Sequence, residues 1–125
     1  MNTQTLPWDP FGRADSLEIA FDAKALRTVC EREARAKRDL GARVAEMLKH
    51  RLADLRAATS VSDLIAGNPR ELNGAGRRQM IVELCEGYRI VFCANHSKVS
   101  MIESGDLDWS RVNRIKILRI ERSHG

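Results

Sequence analysis

The chain has 125 residues, of which 43% are hydrophobic and 30% are charged, and its formal net charge is +4. This length is typical of a single domain, and the hydrophobic fraction excludes a wholly disordered chain. No hydrophobic run approaches the roughly 20 residues of a transmembrane helix, and the N-terminus lacks the basic and apolar regions of a secretory signal, so we expect a cytoplasmic protein.

The N-terminal half is predicted to contain an extension, a strand and two helices. Residues 1–15 include two prolines and form the predicted extension, which precedes a domain at 16–125. Apolar and polar residues alternate in SLEIAF (16–21), which predicts a half-buried strand. Asp22 is a candidate N-cap for the helix that follows, and Gly41 predicts a break or kink before a second helix. Each helix has one apolar stripe, so we expect an antiparallel helix hairpin lying on a sheet.

The C-terminal half is predicted to form four strands. Ser60 and Asp63 have the spacing of a capping box, which predicts one short helix before the strands begin. The final segment alternates apolar and charged residues, except where Leu118 interrupts the pattern. The predicted strands are 70–74, 78–85, 88–93 and VNRIKILRIERSH (112–124), with a two-residue hairpin turn at 86–87 and a polar connection at 94–109. This order predicts an α+β fold, with a small antiparallel-dominated sheet, an N-terminal strand and two helices on one face.

The cysteines and the charges indicate no special chemistry by themselves. Cys30, Cys85 and Cys93 have no paired spacing, and the predicted turn would place the last two on opposite faces of the hairpin, so we predict reduced thiols. There is no CxxC or HxxxH motif, and we predict neither a metal nor a cofactor. Basic residues are in excess by four in both 22–57 and 110–125. Charge alone is more typical of a solvated helix face and a basic terminus than of an anionic partner.

Arg89 is an unusual residue for a short core strand. A two-residue turn would place it opposite Leu84, on an apolar face with Met80 and Val82. A guanidinium on a packed face costs free energy unless it has a partner. Two explanations remain open: a protein carboxylate, for which Glu71 and Glu83 are candidates, or a concave surface that binds an anionic ligand.

The predicted sheet would gather further cations around Arg89. The set lacks the paired carboxylates of a two-metal nuclease and the nucleophile and base of an acyl transferase. Arginines can stabilise a pentacoordinate phosphate, a His or Tyr can move a proton, and RNA supplies its own 2′-hydroxyl nucleophile. This pattern is compatible with a metal-independent ribonuclease. The residues concerned are Arg70, Arg77, Arg78, Arg89, Arg119 and Arg122, with Ser123 and His124 at the end of the chain, although His124 could also be a frayed terminal residue.

Three stretches of the chain, in this order, carry a family pattern. They are RLADLRAATSVSDL (51–64), RELNGAGRRQMIVELCEGYRIVF (70–92) with its GYR turn, and LDWSRVNRIKILRIERSH (107–124). Together they resemble the RelE/ParE toxin superfamily of bacterial toxin–antitoxin systems, particularly its HigB-like branch of killer proteins. The GYR turn followed by apolar residues is fairly specific, and the LDWS…ILRI ending is more specific to this branch.

The resemblance implies a small sheet with two helices on one side and a concave basic face on the other. It implies a ribosome-dependent endoribonuclease that cleaves mRNA in the decoding site without a metal or other cofactor. It also implies an antitoxin, usually a small helix-turn-helix protein, which neutralises the toxin. The toxin would contact operator DNA only through this antitoxin. An extended segment of such a partner could pair with an edge at 16–21 or at the C-terminal strand.

The resemblance assigns roles to individual residues at the positions that match the family's motifs. Arg89 matches the arginine of GYR, which supports the scissile phosphate, and His124 matches a terminal histidine of the HigB-like branch. Arg70 stands where many members have a histidine. Asn73 stands where some members have a catalytic lysine, and Ser123 where several have a catalytic tyrosine.

The resemblance therefore implies a site that keeps the phosphate-binding arginine. The lysine and tyrosine that transfer protons in other members are replaced by Asn73 and Ser123. Two alternatives remain: a non-nuclease toxin of the same fold, such as a gyrase inhibitor, or a module that binds RNA or protein with a degenerate active site. The residues implied for catalysis are Arg70, Arg89 and His124, and those implied for RNA binding are Asn73, Arg77, Arg78, Arg119 and Arg122.

Overall fold

The structure, a computed structural model, describes residues 17–72, 78–96 and 108–122. These residues form a five-stranded mixed sheet and three α-helices, which confirms the predicted α+β class. The predicted extension at 1–15 lies outside them. The strands are β1 (Glu18–Phe21), β2 (Arg70–Glu71), β3 (Met80–Glu83), β4 (Tyr88–Ala94) and β5 (Arg114–Arg122); the helices are α1 (Lys24–Glu31), α2 (Glu33–Leu40) and α3 (Ala42–Ala57), with short 3₁₀ turns at Val61–Asp63 and Trp109–Arg111.

The strands lie in the order β1-β5-β4-β3-β2, and every neighbouring pair is antiparallel except the parallel pair β1 and β5. The pairing of β2 with β3 and of β4 with β5 is as predicted. Among the described strands, β1 and β2 are the sheet edges. The C-terminal strand is an edge only in part, because β1 pairs with residues 114–117 and leaves 118–122 paired on the β4 side alone.

The helical segment has three helices, so the prediction of two is wrong. Arg32 has extended backbone angles (φ −118°, ψ 112°) and separates α1 from α2. Gly41, with φ of 91°, separates α2 from α3 as predicted, since a positive φ costs glycine no strain. The N-cap of α1 is Ala23 and makes no side-chain cap, so the prediction for Asp22 is also wrong.

The capping box before the strands is confirmed. The Asp63 carboxylate accepts hydrogen bonds from the backbone N–H of Ser60 at 3.2 Å and of Thr59 at 3.1 Å. The Thr59 hydroxyl and these backbone donors hold the pKa of Asp63 below its usual value. The box orders the chain where it leaves α3 and turns toward β2.

The hydrophobic core lies between the helices and one face of the sheet. Leu48, Leu52 and Leu55 of α3 are buried there, because their spacing places them on one side of the helix. No helix of the described residues is long and apolar enough to span a membrane. The strand residues of this core are Met80, Val82, Ile90, Phe92, Ile115 and Ile117, joined by the partly buried Ile120.

Candidate functional site

The hairpin that carries Arg89 has a register one residue away from the prediction. Glu83, and not Leu84, lies opposite Arg89. The reason is a longer turn: the Tyr88 N–H donates to the Cys85 carbonyl at 3.0 Å, but the Leu84 N–H donates to the Tyr88 carbonyl at 2.8 Å. Three residues, 85–87, therefore lie between the hydrogen-bonded Leu84 and Tyr88, and Arg89 belongs to the opposite face from the one predicted.

Arg89 lies on the sheet face away from α3, which we call the outer face. Side chains of a strand alternate between faces, and Met80 and Val82 contribute to the core with α3, so the prediction that they share a face with Arg89 is wrong. Val91 follows Arg89 on the outer face and is fully buried. The strand register assigns to the outer face Arg70, Ile81, Glu83, Arg89, Val91, Lys116, Arg119 and Glu121.

A β-bulge in β5 decides which of its side chains join Arg89. Ile117 faces the core, and an unbroken alternation would turn Arg119 and Glu121 to the core as well. Leu118 is an extra residue opposite β4 and reverses the alternation after it. Arg119 and Glu121 consequently lie on the outer face beside Arg89. Bulges commonly redirect side chains next to functional sites in this way.

Arg89, Glu121 and Arg119 form one ion-pair cluster, the Arg89–Glu121–Arg119 cluster. Nε and a terminal nitrogen of Arg89 donate to Oε2 of Glu121 at 2.7 and 2.5 Å. Nε of Arg119 donates to Oε1 of the same carboxylate at 2.6 Å, and another Arg119 nitrogen donates to Gln79 at 3.3 Å. The hydrogen bond from Arg119, together with that from Arg89, holds the pKa of Glu121 below its usual value, and burial opposes this in part.

The cluster identifies the partner of the Arg89 guanidinium. A protein carboxylate does meet it, but the partner is Glu121, which lies directly opposite on β5. The sequence analysis missed Glu121 as a site residue. The interruption of the alternating pattern at Leu118 was the signal for the bulge that places Glu121 there.

The two carboxylates proposed as partners of Arg89 have other contacts. Glu83 binds Arg70, with 2.5 Å between the carboxylate and a guanidinium nitrogen. Arg70 also donates to the Asn68 carbonyl at 3.1 Å. Glu71 lies on the core side, where it accepts a hydrogen bond from the Trp109 indole at 2.5 Å.

Arg122 does not join the outer-face arginines, contrary to the prediction. It lies opposite Tyr88, one residue beyond the pair formed by Arg89 and Glu121, and therefore on the other face. Its guanidinium stacks on the Tyr88 ring at 5.2 Å and Nε donates to the Glu86 carbonyl at 3.4 Å. Tyr88 is thus a packing residue on the core side.

The remaining predicted site residues are only partly described. Arg78 is half-buried just before β3 and has a positive φ of 58°. Asn73, Arg77 and His124 lie outside the described residues, as does Ser123. The structure therefore brings together Arg70, Arg89 and Arg119 on one face and separates Arg122 from them.

The thiols are not candidates for nucleophilic chemistry. Cys30 lines a cavity of about 230 Å³ between the helices, and burial raises its pKa to about 11. Such a thiol carries almost no thiolate at neutral pH. Cys85 lies in the hairpin turn, where its sulfur contacts the Arg43 carbonyl of α3, and Cys93 is buried in β4.

The outer face is suited to binding an anion. Its described strands carry five cations, which include Arg114, and three carboxylates, which include Glu18, and Asp22 pairs with Lys116 at 3.9 Å, so its balance is weakly positive. Guanidinium groups donate several N–H bonds in a plane, which suits phosphate oxygens. Glu121, with its lowered pKa, is a weak base at neutral pH. Among residues 17–72, 78–96 and 108–122, no group of three or more His, Cys, Asp or Glu side chains could hold a metal ion.

Comparisons with known proteins returned no similarity to this chain. No protein-family model matches it, and neither the curated proteins nor the solved structures include a match.

Proposed function

We propose that this protein is the toxin of a type II toxin–antitoxin system, a ribosome-dependent endoribonuclease that cleaves mRNA. The proposal places it in the HigB-like branch of the RelE/ParE superfamily and in the cytoplasm. The observation that carries it is the position of Arg89, the arginine of the GYR turn, on the outer face beside Arg119. Two guanidiniums from neighbouring strands can together hold both non-bridging oxygens of one phosphodiester.

The proposed reaction needs no external nucleophile. The 2′-oxygen of RNA forms a bond to the adjacent phosphorus, and the bond from phosphorus to the 5′-oxygen breaks, which leaves a 2′,3′-cyclic phosphate and a 5′-hydroxyl. A base takes the proton of the 2′-hydroxyl and an acid gives a proton to the leaving oxygen. Arg89 and Arg119 would stabilise the additional negative charge of the pentacoordinate phosphate.

Proton transfer in this reaction requires a group other than Glu121 or Tyr88. Glu121 is held ionised by two arginines, and Tyr88 lies on the other face. We therefore propose His124, which lies outside the described residues, as the proton carrier. Arg70, bound to Glu83, would add positive charge at the border of the site.

The proposal is tested by inducing the protein in bacteria and mapping the 5′ ends of cellular mRNA, followed by cleavage assays on ribosomes carrying a defined message. We expect cuts only in ribosome-bound mRNA. Arg89→Ala should lower the cleavage rate about a hundredfold to a thousandfold, because it removes donors to the transition-state phosphate. Circular dichroism would verify that the variant is folded.

Arg38→Ala is the matched control. Arg38 is an exposed arginine of α2, so its removal changes the net charge equally but leaves the outer face intact. Its cleavage rate should equal that of the wild type. Intact mRNA and normal growth after induction of the wild type would refute the proposed endoribonuclease activity.

A non-catalytic toxin on the same scaffold is the second candidate. Glu121 neutralises part of the arginine charge, and this favours a binding surface over a nuclease site. Gyrase inhibition would cause DNA damage and filamentation, whereas mRNA cleavage would cause rapid loss of protein synthesis. Simple RNA binding through phosphates would weaken steeply with salt in a ribosome co-sedimentation assay.

The proposed protein partner is an antitoxin encoded next to the toxin. An acidic segment of it could cover the arginines of the outer face, and an extended segment could pair with β1 or with the second half of β5. Limited proteolysis with and without the neighbouring gene product would test this. Absence of protection at residues 110–125 would count against such binding.

A further inference from the structure

The Arg89–Glu121–Arg119 cluster has the geometry of an anion site occupied by an anion of the chain itself. Two arginines on adjacent strands donate to separate oxygens of one carboxylate, at 2.5 to 2.7 Å. Guanidinium groups bind carboxylates and phosphates with the same N–H donors. The arrangement that holds Glu121 is therefore also suited to two oxygens of a phosphate group.

The Glu121 carboxylate is accessible enough to be exchanged. Its side chain is 26% exposed and that of Arg119 is 43% exposed, so solvent reaches the ion pair. A pair as exposed as that with Arg119 contributes little net stability, and the less exposed pair with Arg89 would be replaced by hydrogen bonds to the incoming anion. The strand register keeps the backbone of Arg89 in place, and Gln79 is a second partner of Arg119.

We infer that Glu121 is an internal placeholder for a phosphate group, which displaces its carboxylate and takes over the N–H donors of Arg89 and Arg119. The identity of the natural phosphate, a phosphodiester of RNA, rests on the proposed function, whereas the displacement does not. With Glu121 in place the cluster has a net charge of +1, and without it +2. Glu121 therefore lowers the affinity of the free protein for anions.

A phosphate group fits this exchange better than a carboxylate of a partner protein. A carboxylate would only replace one carboxylate by another, with no gain in hydrogen bonds to offset the entropy lost on association. A phosphate group has more acceptor oxygens and can bind both arginines while it accepts further donors. Arg70 and Lys116 lie on the same face but are each paired with a carboxylate, Glu83 and Asp22, so Arg89 and Arg119 supply the donors of the exchange.

The exchange predicts a pH dependence of anion binding. The groups that face Glu121 are Arg89 from β4 and Arg119 from β5, with Gln79 beyond Arg119; Glu83 lies across from Arg89 on β3. Among the residues that the structure describes, Glu121 is the carboxylate that pairs with both guanidiniums. It is ionised at neutral pH, since its pKa is lowered, and its protonation in acid would release both arginines. Anion affinity should consequently rise as the pH falls.

Sulfate is a suitable probe, because it remains a dianion throughout the acid range in which Glu121 titrates. Binding would be measured by calorimetry and by the ¹⁵Nε resonances of the arginines between about pH 7 and pH 3. Glu121→Gln should bind sulfate about tenfold more tightly than the wild type at neutral pH, since hydrogen bonds to a charged group contribute about 1.5 kcal/mol or more. The difference should persist to about pH 4, because the lowered pKa keeps Glu121 ionised there, and should shrink at lower pH as the wild type loses its competing charge.

Glu46→Gln is the matched control, because Glu46 is an exposed glutamate of α3 and its loss changes the net charge equally. Its sulfate affinity should stay within about twofold of the wild type. If Glu121→Gln is poorly folded, the wild-type protein still provides a test: sulfate should shift the Nε resonances of Arg89 and Arg119 together.

Two results would overturn the inference. One is sulfate binding by a folded Glu121→Gln protein that is unchanged or weaker, which would leave Glu121 a purely structural role. The other is a preference of that variant for acetate or oligoglutamate over sulfate and a short oligonucleotide. Failure of the wild type to cleave mRNA would refute the proposed nuclease but leave the displacement of Glu121 standing, so the two failures are distinguishable.

Discussion

Arg89 and Glu121 lie directly opposite each other on antiparallel strands, and two nitrogens of the arginine donate to one oxygen of the glutamate at 2.7 and 2.5 Å. The pair is partly buried, with 18% of the arginine side chain and 26% of the glutamate side chain exposed. It connects the two longest strands across the outer face. Its energetics, its titration and its position each lead to a prediction.

The coupling between Arg89 and Glu121 should be measurable in a double-mutant cycle. We expect a coupling free energy of about 1 to 2 kcal/mol for Arg89→Ala and Glu121→Ala, because the pair is partly buried and charge-assisted. The pair of Arg27 and Glu31 on α1, at 4.0 Å and about half exposed, should couple by less than about 0.5 kcal/mol. Urea unfolding of the single and double variants gives both values, and equal coupling would contradict this interpretation.

The stability of the protein should decrease in acid through Glu121. Its pKa is lowered in the folded state, so its contribution is fully present above the unfolded pKa of about 4.3 and is lost as the pH falls through the lower folded value. Urea unfolding between about pH 6 and pH 3 should show a steeper loss of stability for the wild type than for Glu121→Gln. Parallel curves would show that the arginines do not stabilise the ionised form.

Arg119 and Arg122 should differ in RNA binding although they are close in sequence. Arg119→Ala removes a donor from the outer face and should weaken binding of a short RNA about threefold to tenfold. Arg122→Ala removes a cation that stacks on Tyr88 on the other face, and should leave RNA affinity within about twofold. Fluorescence anisotropy at fixed salt would compare the two, which have the same net charge. Equal losses would mean that both faces contact RNA.

Deletion of Leu118 should straighten β5 without turning its charged side chains into the core. Arg119 would then follow Ile117 directly, and regular alternation would keep Arg119 and Glu121 on the outer face and Ile120 in the core. The deletion should therefore leave the pair of Arg89 and Glu121 in place and cost about 1 kcal/mol, as Leu118→Ala should, because the lost side chain is half-buried. Urea unfolding would compare the two variants, and an unfolded deletion variant would show that the bulge itself is required.

Gly67 should tolerate substitution less well than Gly41. Both have positive φ, 85° and 91°. A Cβ at Gly67 would lie 2.5 Å from Cγ1 of Val82, whereas nothing lies within 4 Å at Gly41. Gly67→Ala should therefore cost about 2 to 4 kcal/mol and Gly41→Ala about 1 kcal/mol, the cost of backbone strain alone. Thermal and urea unfolding would measure both; a smaller effect at Gly67 would contradict the contact with β3.

Much of the fold follows from local patterns in the sequence. Alternation predicted β1 and β5, the capping box at Ser60 and Asp63 was confirmed, and Gly41 does end a helix. Arg32 shows the limit of such patterns. It has no glycine or proline beside it, and the break between α1 and α2 has no local signal, so the packing of both helices against α3 decides it.

The candidate site was predicted less well than the fold, because it depends on register. An error of one residue at the turn moved Arg89 from one face of the hairpin to the other, since side chains alternate with a period of two. The same rule places Arg119 and Arg122 on opposite faces, and the bulge at Leu118 decides that Arg119 is the one that joins Arg89. Neither effect changes the composition or the order of the strands.

By itself, the sequence determined the α+β class, the neighbours of the last four strands and the presence of a cation at the start of β4, because propensity and hydrophobic periodicity act over a few residues. The tertiary structure alone decided that Glu121 is the partner of Arg89. That choice depends on how β4 and β5 align across a turn and a bulge, and hydrogen bonding between strands that are distant in sequence sets this alignment.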